Sequence, residues 1–216
     1  MRSVSSREWM FLAIILIYSF VPTFGGLFRT AELLGGPAII PANPRASAHP
    51  LPIVLHISSS FLFCLLGALQ FLPSVRRCHL GLHRVLGRVV AAAGCMSALT
   101  GLWMTHFFVF PQELQGSLLY WMRIALSLSM VGLIVWAVIA IRSRNLVGHS
   151  AAMLRAYAIG QGASTQAFLG IGWMVAFGTE PLGPLRDVMM VFAWSLNLLI
   201  AELLISKMFA PRTLPT

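Results

Sequence analysis

Acidic residues are scarce: the 216-residue chain carries 6 Asp and Glu against 15 Lys and Arg, a net charge of +9. Lysine is almost missing too, since fourteen of the fifteen cations are arginine. Charged residues of both signs make up 10 % of the chain, where roughly 25 % is usual for a globular domain. So little charge cannot cover the surface of a soluble protein, which excludes a cytosolic globular enzyme. A disordered chain is excluded by the apolar content. The three cysteines, Cys64, Cys78 and Cys95, include no Cys-x-x-Cys pair and are odd in number. That argues against a disulfide framework, and the thiols read as small apolar packing residues. The positive balance does not point to nucleic acid, which needs a basic patch on a soluble face. Here the cations stand between long apolar runs.

Apolar sequence is what the chain has in abundance: 58 % of residues are hydrophobic and the mean hydropathy is +0.83. A helix crossing about 30 Å of hydrocarbon needs roughly 20 mostly apolar residues. Six segments meet this length: 9–28, 51–72, 89–110, 118–141, 152–178 and 188–206. The expected architecture is all-α, a polytopic bundle of six transmembrane helices forming a single membrane domain over residues 1–216. Prolines punctuate the breaks: Pro41, Pro44, Pro50 and Pro52 in the first loop, Pro73 after the second segment, Pro111 after the third, Pro181 and Pro184 before the sixth. The first segment has the basic flank of a signal peptide in Arg2 and Arg7. Its apolar core is too long for one, and no small-x-small cleavage site follows Phe28, so it reads as a retained anchor.

Orientation follows from counting Lys and Arg in the connections. With six spans, Arg2, Arg7, Arg76, Arg77, Arg84, Arg88, Arg142, Arg144, Arg155, Lys207 and Arg212 fall on one side, and only Arg29, Arg45 and Arg186 on the other. Both termini are expected in the cytoplasm. The loop over residues 30–50 then lies on the outer face as a partial lid.

Ionisable groups at depth are costly, about 2.5–3.5 kcal/mol each on insertion scales, and mark functional candidates. They fall into two layers. The outer one holds His56, His106 and Arg123, on three consecutive helices at one depth, roughly 6–9 Å below the boundary at about 1.5 Å per residue. Glu113 is close enough in sequence to reach it. The inner layer holds Gln70, His79, His83, Arg84, Arg88, His149, Arg155, Tyr157 and Glu202. Glu202 is the one acid inside any of the six segments, so Arg155 or Arg88 is its expected partner. The fifth segment carries Gln161, Ser164, Thr165 and Gln166 with the small Gly160, Gly162, Gly170 and Gly172, a set that belongs in the bundle interior or along a cavity. A small-residue stripe in the third segment, Gly94, Ala98 and Gly101, suggests that these two helices touch. Asn197 is expected in the same interior.

Three motifs stand out: Gly67-Ala68-Leu69-Gln70-Phe71, then His83-Arg84-Val85-Leu86-Gly87-Arg88, then His149 with Met153, Arg155, Tyr157 and Ala158. With His56, they resemble the bacterial membrane proteins known as domain of unknown function 2306, over roughly residues 50–180. The third motif departs from the family pattern at Ser150, where Arg is expected, and at Ala152, where Trp is expected. The resemblance implies a multi-span fold in a bacterial cytoplasmic (inner) membrane and supplies no reaction.

Three functions suit these residues. The first is b-type haem binding for electron transfer, with His56 and His106 or His83 and His149 as axial ligands and Arg84, Arg88, Arg123 and Arg155 for the propionates. It would make the chain a membrane oxidoreductase with a redox partner or quinone. The second is binding or transport of a small anionic or amphipathic molecule, with Gln70, Gln166 and Glu202 among the polar lining. Neither an inverted repeat nor a pair of broken helices is visible in the sequence to support it. The third is copper or zinc held by His56 and His106 with a further ligand, or zinc at Cys78, His79 and His83.

Overall fold

The computed structural model describes residues 5–209; Arg2 and Arg212 of the charge count lie outside them. The first apolar segment folds as two helices, α1 (Ser6–Tyr18) and α2 (Phe20–Leu33), bent by 53° at Ser19. Pro22 explains the break, because it has no N–H to return to the carbonyl of Tyr18 four residues earlier. A reciprocal cap opens α1: Ser5 Oγ accepts the Glu8 N–H at 3.3 Å, and the Glu8 carboxylate accepts the Ser5 N–H at 2.8 Å. The first loop contains α3 (Pro44–Ala48), capped by Asn43. Next comes α4 (Pro50–Gln70), whose prolines sit in the first turn, where a missing N–H costs nothing. Short α5 (Pro73–Cys78) leads into α6 (Leu80–Phe107), which starts nine residues before the apolar segment does and so takes in His83, Arg84 and Arg88. Then follow α7 (Ser117–Arg142), α8 (Leu146–Gly160), α9 (Gly162–Phe177) and α10 (Gly183–Phe209).

Four helices, α4, α6, α7 and α10, are long and apolar enough to cross a membrane, and the bent α1–α2 pair taken as one span makes five. At 15 and 16 residues, α8 and α9 are each too short alone. The interruption falls at Gln161, between Gly160 and Gly162. The six apolar segments of the sequence therefore fold as four unbroken helices and two interrupted ones.

The starts of α4, α7 and α10 and the end of α6 gather at one end of the bundle. Ile53 packs there with Phe108, Gly183 N–H donates to the Glu113 carbonyl at 2.8 Å, and the Asp187 carboxylate takes the N–H groups of Gly116 and Leu119 at 3.1 and 3.2 Å. At the opposite, basic end lie the α4–α6 and α7–α8 connections with Arg76, Arg77, Arg142 and Arg144. The His149 ring there bonds the Ala137 carbonyl at 3.0 Å.

The core centres on Phe63, 1 % exposed, with Val90, Met130, Ile134, Ala156 and Tyr157. The small stripes of α6 and the interrupted fifth segment do not pack on each other as expected; both pack on this ring. A Cβ on Gly94 would stand 2.6 Å from Phe63 Cε2, and one on Gly160 would stand 2.7 Å from Phe63 Cε1, on the opposite ring edge. The aromatic ring is larger than the gap two small faces would leave, so α4 lies between them. Asn197, buried as expected, donates to the Ala158 carbonyl at 3.2 Å.

Candidate functional site

The two helix breaks meet. Ser19 Oγ donates to Gln161 Oε1 at 3.1 Å, and Ser164 Oγ donates to the same oxygen at 2.9 Å. Gln161 Nε2 in turn donates to Tyr157 Oη at 2.9 Å. Beside them, Tyr18 Oη bonds Thr165 and reaches Asn197 Oδ1 at 3.3 Å. Buried polar groups without partners are costly in a bundle interior, and here Ser19 and Tyr18 find theirs across the seam on Gln161, Thr165 and Asn197. The absence of a broken-helix pair, as read from the sequence, is thus corrected.

Above this seam, toward the α7 and α10 starts, lies a cavity of about 430 Å³. Its polar lining includes Arg45, His56, Ser60, Arg123, Ser164 and Gln166, and no Asp or Glu lines it. Arg123 donates to Gln115 and lies 3.9 Å from Met190 Sδ. Its guanidinium carbon is 5.5 Å from the Phe110 ring centroid, and that of Arg45 is 4.8 Å from the same ring. Neither guanidinium has a carboxylate within 4.0 Å among the described residues. His56 Nδ1 bonds the Ser97 carbonyl at 2.9 Å. A carbonyl only accepts, so Nδ1 carries the proton and Nε2 is left for another partner. Gln166 Nε2 donates to the Met190 carbonyl at 3.3 Å. The 30–50 loop contributes Asn43 and Arg45 to the wall. Arg29 anchors that loop through the Pro41 carbonyl and pairs with Glu32 at 2.6 Å.

His106 does not join His56. It is exposed, with Nδ1 at 3.0 Å from Tyr120 Oη, and does not line the cavity. Equal depth is not equal facing: α6 turns Gly101 toward His56, with 3.4 Å between a Cβ there and Cε1, and His106 is five residues on, about 140° round the helix. Glu113 is exposed in its loop, and the buried acid at this end is Asp187.

At the basic end, Arg155 makes a two-point pair with Glu202, Nε to Oε1 at 2.5 Å and a terminal nitrogen to Oε2 at 2.8 Å. Arg84 and Arg88 are exposed, and Gln70, His83 and His149 are partly covered. The three sequence motifs converge here. Tyr157 stacks edge-on with Phe71 at 5.1 Å between centroids, fills the space beside Gly67, and donates to the Cys64 carbonyl at 2.8 Å.

Of the expected outer pair of haem ligands, His56 lines the cavity and His106 does not. Among the described residues, no group of three or more His, Cys, Asp or Glu comes together to hold a metal ion. His56 with His106, and Cys78 with His79 and His83, are therefore not brought together as copper or zinc sites. Sequence reasoning missed Arg45, Tyr18 and Ser19. Pro22 was the available signal for the last two.

Fold and lining together define a polytopic helical membrane protein with an internal basic cavity. The chain belongs to the family described as predicted membrane protein (DUF2306), whose model matches residues 53–205. The match begins after α1, α2 and α3, which supply Ser19, Asn43 and Arg45 to the cavity. No curated protein and no solved structure matches the chain.

Proposed function

We propose that this chain is a membrane binding protein for a small amphipathic molecule bearing an oxyanion, held head-first by Arg123 and Arg45. The observation that carries this reading is a cavity of about 430 Å³ with two guanidiniums and no acid in its lining. Pockets of roughly 300–1,000 Å³ suit small ligands. A guanidinium without a carboxylate partner, desolvated among helices, favours an anion. The remaining wall, including Ile53, Ile57, Phe61 and Leu126, suits an apolar tail. His56 Nε2 supplies a further polar contact. Facing helix breaks at the cavity floor are a feature of membrane binding and transport sites, where interrupted backbone lines a cavity.

The same reading takes α8 and α9 together as one crossing, giving six crossings and cytoplasmic termini in a bacterial inner membrane. It is supported by the chain path: α8 starts at the basic end and α10 starts at the opposite end, so the segment between them runs the height of the bundle.

Trp194 lines the cavity and serves as a reporter. In maltoside micelles, 12-bromododecanoate should quench its fluorescence saturably, with 12-bromododecanol at least about tenfold weaker. Arg123→Gln should weaken the acid about tenfold, the loss of a charge-assisted hydrogen bond of roughly 1.5 kcal/mol. Equal quenching by acid and alcohol, or no change in both Arg123→Gln and Arg45→Gln, overturns the proposal. A Soret band in the purified protein, lost in His149→Ala, would favour haem instead.

A further inference from the structure

Two buried polar atoms at the basic end have no hydrogen-bond partner among the described residues, Gln70 Nε2 and His83 Nδ1. Gln70 is the last residue of α4, and His83 lies in the first turn of α6. Both belong to one seam. Gln70 Oε1 lies 3.3 Å from the place a Cβ on Gly87 would take, and Gly87 stands one turn along α6 from His83, on the same face. An unpaired buried donor costs about 1–3 kcal/mol, and native proteins keep few of them. Two in one seam, one from each facing helix, call for a shared acceptor.

The charges around the seam say which kind. The groups whose charge bears on His83 are Arg76, Arg84 and His149, all basic. Ser74 Oγ is also buried, but it lies beside the Glu8 carboxylate, which takes the Ser74 backbone N–H at 2.7 Å; it is not part of this seam. We infer that Gln70 and His83 form a second binding site, which takes an oxygen of a phosphate or carboxylate approaching from the basic end. The oxyanion is a free ion or the headgroup of an anionic lipid. Gln70 donates through its amide, His83 through Nδ1–H, and the neighbouring arginines supply the field. Gly87 is the floor: a side chain there would press on the Gln70 amide. The site is distinct from the cavity of the previous section. Along α4 come Cys64 on the cavity wall, then Gly67 beneath the Tyr157 ring, then Gln70.

The test uses full-length protein with ¹⁵N-imidazole histidines in lipid-free maltoside micelles, the His83 resonance being assigned by its loss in His83→Gln. Two arms are titrated, inorganic phosphate and phosphatidylglycerol. A saturable His83 shift is expected in at least one, about tenfold weaker in Gln70→Leu and unchanged in Arg123→Gln. Saturation with phosphate identifies a free ion, and saturation with phosphatidylglycerol alone a lipid headgroup. Should Gln70→Leu not fold, Gln70→Glu keeps the shape and is expected to abolish the shift by repulsion. No saturable shift in either arm, or equal affinity in wild type and the Gln70 variant, overturns the inference.

Discussion

At the scale of single residues, the packing of this bundle turns on one aromatic ring. Lipid tails are as apolar as leucine, so membrane helices are held by close van der Waals fit rather than by escape from water. Phe63 provides that fit between Gly94 and Gly160, and Ile134 also lies 2.7 Å from a Cβ built on Gly94. Gly94→Ala is therefore expected to destabilise the protein by about 1–3 kcal/mol, the usual penalty of overpacking. Phe63→Leu added to Gly94→Ala should recover part of the loss, measured as the melting temperature in detergent by size-exclusion chromatography. An additive double variant would mean the two side chains do not share this space. The sequence made Gly94 and Gly160 visible as small residues but not their partner, because a stripe of glycines says that something approaches and not what. The same gap separates His56 from His106. Residue counting gives depth along a helix to within a turn, whereas facing depends on the helix phase, which packing sets. Glu202 with Arg155 was legible for the opposite reason, since a lone acid among arginines has few partners to choose from.

At the scale of elements, the first span is held differently from the rest. No residue of α1 is fully buried, and the buried residue of α2 is Arg29, which ties down a loop. Leu12 and Ile15 only brush the core. Polar contacts at the bend add to the apolar ones of Leu12, Ile15 and Leu33: Tyr18 to Thr165 and Asn197, and Ser19 to Gln161. Interhelical hydrogen bonds in membranes average about 0.6 kcal/mol each. Losing all three by Tyr18→Phe with Ser19→Ala should cost about 1.8 kcal/mol and loosen the cavity wall. Cys64 lines the cavity and reports on this. In a Cys78→Ser, Cys95→Ser background, its modification by a membrane-permeant maleimide should quicken roughly twentyfold. An unchanged rate would mean that apolar contacts hold the span. The helical content and most segment limits were legible from apolar runs and prolines. The two interruptions were not, because a run of hydropathy is blind to a missing backbone hydrogen bond. Only Pro22 and the Gly160-Gln161-Gly162 triplet carried that information.

At the scale of the whole molecule, the +9 charge divides by what its members do. The few arginines at the cavity end are each engaged within the protein: Arg29 with Glu32 and the Pro41 carbonyl, Arg45 over Phe110, and Arg186 donating to the Leu114 carbonyl at 3.3 Å. At the basic end Arg76, Arg77, Arg84, Arg88, Arg142 and Arg144 are open to their surroundings, which is what the proposed orientation asks of cations on a cytoplasmic face. Arginines already committed to loop structure carry little topological information, so the bias in free cations is steeper than the raw count of eleven against three. The orientation and the six crossings then stand or fall together. If α8 and α9 cross as one unit, the loop over residues 178–183 lies outside with the cavity mouth, and the C-terminus lies inside. If they do not cross, that loop lies on the same side as the α7–α8 connection, residues 143–145. Alkaline phosphatase, active only outside the cytoplasm, separates the cases. Fused after Gly178 it should be active, and fused after Arg144 inactive, with green fluorescent protein giving the reverse pattern. Equal phosphatase activity at both junctions would remove the α8–α9 crossing, and with it the assignment of the basic cavity to the outer half of the membrane.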